Sequence, residues 1–145
     1  MPSLATAHVT SSAAPTAFFE RWADMATWPQ WNTDTAWVRL DGPFATGSTG
    51  VLKPKGGPKV PFVIERLVPG QEFVDVSRLF GARLTFDHQV HALPGGGCRV
   101  EVTVSMSGPL SRLWTAILGA GLRASVRPDL ERLAAVVERS AAHPA

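Results

Sequence analysis

The residues able to do chemistry in this chain fall on neighbouring extended segments. Arg83 to Leu93 alternates, with Leu84, Phe86, His88 and Val90 on one side and Thr85, Asp87, Gln89 and His91 on the other. The apolar side should face a core, which carries His88 inward as the one imidazole able to meet a buried ligand. Histidine titrates near working pH, so His88 can exchange a proton with a bound carbonyl or hydroxyl. The other reading is a structural histidine bonded to a neighbour or to water. His88 and His91 are an odd number of residues apart and point to opposite faces, while His8 and His143 lie near the ends. That spacing gives no metal site.

Glu72 to Phe80 places Val74, Val76, Arg78 and Phe80 opposite Phe73, Asp75, Ser77 and Leu79. Taking the valines as the inner face draws Arg78 inside, where it needs a carboxylate or a ligand anion. Glu65 is a candidate partner from the adjacent strand; a position at the strand end, within reach of water, is the alternative for Arg78. A catalytic trio of His88, Arg78 and Glu65 on one wall would polarise a ketone and guide an aldol-type closure or loss of water. Trp28, Trp31, Trp37 and Trp114 either fill a core or offer flat rings to a planar ligand. With Phe86, Val102, Met106, Leu118 and Gly121 they make up the expected ligand-binding set. No hydrolase elbow, P-loop or dinucleotide fingerprint is present, and Gly95 to Gly97 are turn glycines between strands.

These residues need elements to hold them. From Pro109 to about Ser140 apolar residues recur at helical spacing: Leu110, Leu113 and Trp114, Ile117 and Leu118, Gly121 and Leu122, Val126, Leu130, Leu133 and Ala134, Val137. That is one broad stripe on a long helix, with Pro128 predicting a kink near 124–128. Upstream, Leu4 to Thr10 alternates as a first strand. Residues 15–23 form a short helix, and Asp24 to Asn32 a second helical turn ending in a bend. Six further strands follow, over 35–41, 47–54, 61–68, 72–80, 83–93 and 99–107, joined by Gly- and Pro-rich turns. Links this short make successive strands antiparallel. In the last strand Val100, Val102, Val104 and Met106 point inward.

Composition limits what such a chain can be. At 145 residues, 45% hydrophobic and 18% charged, it fits one folded domain spanning 1–145. The net charge of +2 argues against nucleic-acid binding. The Lys53 to Lys59 stretch reads as a solvated hairpin tip rather than a phosphate-binding patch. Cys98 stands alone, so no internal disulfide forms. The first basic residue is Arg21, which leaves no charged secretory leader, and Leu113 to Leu122 is about half the length of a membrane span. The expectation is a cytoplasmic protein without stable membrane insertion. The arginines and Trp114 of the last helix would suit a membrane surface, but on this reading the core needs the whole stripe.

Four stretches carry a family likeness: Trp28-Pro-Gln-Trp31-Asn, Leu40-Asp-Gly-Pro-Phe-Ala-Thr-Gly47, Val63-Ile-Glu-Arg-Leu-Val-Pro-Gly70 and the long final helix. With these the chain resembles the START-like (SRPBCC) superfamily, which includes polyketide cyclase/dehydratase-like, lipid-transport and Bet v 1-like proteins. The resemblance implies an α+β helix-grip fold. A seven-stranded curved antiparallel sheet would surround a long kinked C-terminal helix, with two short helices between strands 1 and 2. It also implies a cavity for an apolar or aromatic, polyketide- or lipid-like molecule, and no cofactor. Cyclisation or dehydration is one implied activity, and a noncatalytic carrier or sensor is the other. A monomer and a homodimer both stay open.

Overall fold

The computed structural model describes residues 3–142, so His143 lies outside the described residues. Strand β1 (Ser3–Ser11) leads into helix α1 (Pro15–Ala23) and a 3₁₀ turn (Met25–Gln30). Strands β2 (Thr35–Asp41), β3 (Thr49–Pro54), β4 (Val60–Val68), β5 (Glu72–Leu79), β6 (Ala82–Ala92) and β7 (Cys98–Ser107) follow, and helix α2 (Ser111–Ala142) ends the chain. The sheet order is β1-β7-β6-β5-β4-β3-β2, every pair antiparallel. Strand β1 thus joins the far side of the meander, and the helical segment between β1 and β2 bridges the two edges. This is the helix-grip arrangement, with element order as the sequence predicts.

Local chemistry accounts for the elements. Pro15 opens α1, where its missing N–H costs no helical bond. Strand β7 alternates strictly between buried and half-buried residues, as one face against a core requires. The β5–β6 turn closes at Gly81, whose φ of +69° favours glycine; a Cβ there would lie 2.6 Å from Leu110 Cδ1, on the link into α2. Helix α2 runs through Pro128 as continuous helix.

The stripe on α2 divides into two regimes. In its second half Leu130, Leu133, Ala134, Val136 and Val137 are buried, in one core with Phe18, Trp22, Val90, Val100 and Val104. In its first half Trp114, Leu118, Leu122 and Val126 are only partly buried, while Leu113 and Ile117 are 53% and 59% exposed. Only one edge of the predicted broad stripe is therefore covered there. The sheet lies on one side of α2, and beneath this half it leaves a cavity instead of a packed core.

Candidate active site in the cavity

The cavity has a volume of about 540 Å³ and lies between the concave face of the sheet, the Trp28–Thr35 segment and the first two-thirds of α2. Its wall is mainly apolar: Trp22, Trp28, Trp31, Leu52, Phe62, Leu79, Leu84, Phe86, Val102, Trp114, Leu118 and Leu122 line it. The tip of the β3–β4 hairpin, Pro54 to Pro58, borders it at one end. Asp34, Asp129 and Ser125 add polar groups to the wall. Asp129 is ion-paired with Arg132, whose Nε also donates to the Trp31 carbonyl at 3.0 Å, tying α2 to the tryptophan segment. Burial raises the Asp129 pKa against the opposing pull of Arg132.

Two titratable groups sit deep in this wall. His88 is 5% exposed and Asp75 6% exposed, and His88 Nδ1 lies 3.8 Å from Asp75 Oδ2. The imidazole stacks on Phe73 with ring centroids 4.0 Å apart and meets Trp22 edge-on at 5.4 Å. Its Nδ1 is 3.3 Å from the Phe73 carbonyl. The tautomer that donates Nδ1–H to that oxygen leaves Nε2 as the acceptor. Burial drives the His88 pKa down to about 3, so the ring is neutral at pH 7. The Asp75 Oδ2 has no hydrogen-bond partner among the described residues, and burial raises the Asp75 pKa to about 8. At neutral pH the pair therefore consists of a neutral imidazole and a protonated carboxyl.

Several expected site residues stand elsewhere. Arg78 is exposed, on the convex side of β5 opposite Arg83. Glu65 is not its partner; it pairs with Arg83 at 3.1 Å on the surface. The catalytic trio of His88, Arg78 and Glu65 does not assemble. The reason is register: the β5–β6 hairpin pairs Phe73 with His88, Asp75 with Phe86 and Ser77 with Leu84, and directly paired residues share a face. Strand β5 is central in the sheet, so Val74 and Val76 are buried on its convex side, Val76 between Val63 and Thr85. Trp37 faces outward from edge strand β2, with Lys59 Nζ 5.9 Å from its ring, and does not line the cavity. Met106 is buried in the core but outside the lining. Trp28, Trp31, Phe86, His88, Val102, Trp114, Leu118 and Gly121 all line it. Asp75, Ser77 and Leu79 are the lining residues of β5 that the face assignment missed. The two-residue turn after Leu79 was the available signal: once Leu84, Phe86 and His88 are inward, pairing across it turns 73, 75 and 77 inward too.

Comparison with known proteins agrees with this geometry. The model of the family described as "Polyketide cyclase / dehydrase and lipid transport" matches residues 4–138. Among solved structures, the Zhui aromatase/cyclase from Streptomyces sp. R1128 is 14% identical, with a TM-score of 0.75 over 94% of this chain and 93% of that one. Ara h 8.0201 is 13% identical, with a TM-score of 0.65 over 92% and 96%. DynU16, from the dynemicin biosynthetic locus, is 17% identical with a TM-score of 0.69 over 92% of this chain; the chain spans 46% of its length. A search of curated protein sequences finds no match. With the family model covering nearly all of it and the helix-grip fold in place, the chain belongs to the polyketide cyclase / dehydrase and lipid transport family of the START-like, Bet v 1-like superfamily.

Proposed function

We propose that the protein holds an apolar, aromatic or polyketide-like molecule in the cavity and acts on it by proton transfer through Asp75 and His88. The observation that carries this reading is the buried Asp75 carboxyl, its Oδ2 without a hydrogen-bond partner among the described residues and 3.8 Å from the His88 imidazole in a mainly apolar wall. A general acid works best with a pKa near the working pH, and Asp75, at about 8, meets that condition. His88, at about 3, is too weak a base to lead, so its role is to accept a hydrogen bond and orient the reacting group. In a ring closure the Asp75 proton passes to a ketone oxygen as the carbon–carbon bond forms, and the proton lost by the attacking carbon returns to the Asp75 carboxylate. In the following dehydration Asp75 protonates the departing hydroxyl, which leaves as water, and the resulting carboxylate takes up the proton of the neighbouring C–H.

The alternative is a noncatalytic carrier or sensor, favoured by how few polar groups interrupt the wall. Native mass spectrometry of freshly purified protein would identify a co-purifying molecule, and that molecule supplies the assay. Asp75→Asn keeps shape and neutrality but has no acidic proton. It should cut turnover by about 10²-fold or more while affinity, read by tryptophan fluorescence, stays within a few fold. Unchanged turnover would remove Asp75 as the acid; absence of turnover in the wild type alongside tight binding would leave the carrier.

A further inference from the structure

The charges of this chain are sorted along it. Residues 42–64, 76–86 and 102–128 contain Lys53, Lys55, Lys59, Arg78, Arg83, Arg112, Arg123 and Arg127 and not one acidic residue. Eight of the 14 basic residues and none of the 12 acidic ones therefore fall in these three segments. Strand register brings much of this charge together. Phe62 pairs with Ser77 and Arg83 with Ser107, so the β3–β4 tip, the β5–β6 turn and the β7–α2 link stand at the same end of the sheet. Trp114 Nε1 donates to the Phe80 carbonyl at 2.7 Å, and Leu110 N–H to that of Gly81 at 2.8 Å, which fixes the first turns of α2 against the β5–β6 turn.

The same end exposes apolar side chains. Phe80 is 84% exposed, Leu113 53% and Ile117 59%. Leu113 and Ile117 are one helical turn apart on the outer side of α2, while Trp114 and Leu118 on its inner side line the cavity. Of the acidic residues that border this end, Glu65 is committed to Arg83, and Asp34 lies beside the hairpin tip, where its carbonyl accepts from Lys55 N–H. A large exposed aromatic and two aliphatics among cations that, Arg83 apart, have no acidic partner among the described residues form a surface that water solvates poorly and anions attract.

We propose that this end docks on an anionic membrane surface. Phe80, Leu113 and Ile117 enter the headgroup layer, and Arg78, Arg112 and the lysines of the hairpin tip meet lipid phosphates. A second copy of the chain fits the patch less well, because a twofold contact would set these cations against their own copies with no acid between them. The docking does not depend on what the cavity holds, so its failure would leave the reading of Asp75 untouched.

The test is flotation of the full-length protein with vesicles of phosphatidylcholine, alone or with about 30 mol% phosphatidylglycerol. At low salt the protein should float with the anionic vesicles, stay behind with the neutral ones, and detach as salt rises. Arg112→Ala should weaken partitioning about fivefold. Phe80→Ser and Ile117→Ser, at exposed positions, should weaken it at least as much while circular dichroism stays unchanged. The proposal is overturned if the protein ignores anionic vesicles at low salt, or if neutral vesicles bind it equally. It also falls if the two serine variants float like wild type. Ultracentrifugation showing a dimer that Ile117→Ser dissociates, without flotation, would assign the patch to a second copy. Retention on an acidic protein without flotation would assign it to such a partner.

Discussion

A carboxyl without a partner in an apolar wall keeps its proton, and this sets how Asp75 responds to pH. Its folded pKa of about 8 lies above the ordinary aspartate value of 3.8, so the fold favours the neutral form. Its contribution to stability is complete below the unfolded pKa and is lost as pH rises through about 8. His88 acts from the other side. With a folded pKa of about 3 against 6.5, the unfolded chain takes up a proton that the folded one refuses, and stability is lost as pH falls from 6.5 towards 3. Between about 4 and 6.5 the two linkages oppose each other, and above 6.5 Asp75 acts alone. Asp75→Asn removes the alkaline loss. Urea unfolding should show the variant gaining on the wild type by roughly 2 kcal/mol or more between about pH 5 and pH 8. A constant difference would mean that Asp75 is ionised in the folded protein.

At the scale of elements, α2 is two helices in one. Its last third is a packed core helix in which Val136 and Val137 are buried away from the cavity; the part before it, through Leu133, roofs the cavity. Truncation should therefore cost different amounts along it. Val137→Ala leaves a hole in close packing and should destabilise by about 2 kcal/mol. Leu118→Ala enlarges a space already present and should cost about 1 kcal/mol, because the removed atoms had few neighbours to lose. Denaturation midpoints of the two variants at one pH would check this. Equal costs would mean that the roofing part of α2 is packed as tightly as its last third.

Across the whole molecule, the packed end of α2 anchors the grip and the open part can respond. A ligand that binds only the folded state at about 100 times its dissociation constant should raise stability by about 2.7 kcal/mol. Hydrogen exchange should place the extra protection unevenly. Amides of 111–126 should slow most on binding, because that part has contacts to gain, while those of 134–139 should change only with global stability. Uniform slowing along the helix would show that the cavity and the core open together.

The sequence alone determined the order of elements, the antiparallel meander, the strict alternation of β7 and the inward face of β6 with His88. These depend on short-range periodicity and turn chemistry, which are written locally. It did not disclose which face of β5 is inward. A central strand is buried on both sides, so Val74 and Val76 looked like core residues while Asp75 and Ser77 held the concave wall. Nor could it show that Leu113 and Ile117, in register with a core stripe, would meet solvent. Tertiary structure decided both, since strand pairing sets a residue's neighbours across the sheet, and the depth of the hollow under α2 sets how much of a stripe is covered.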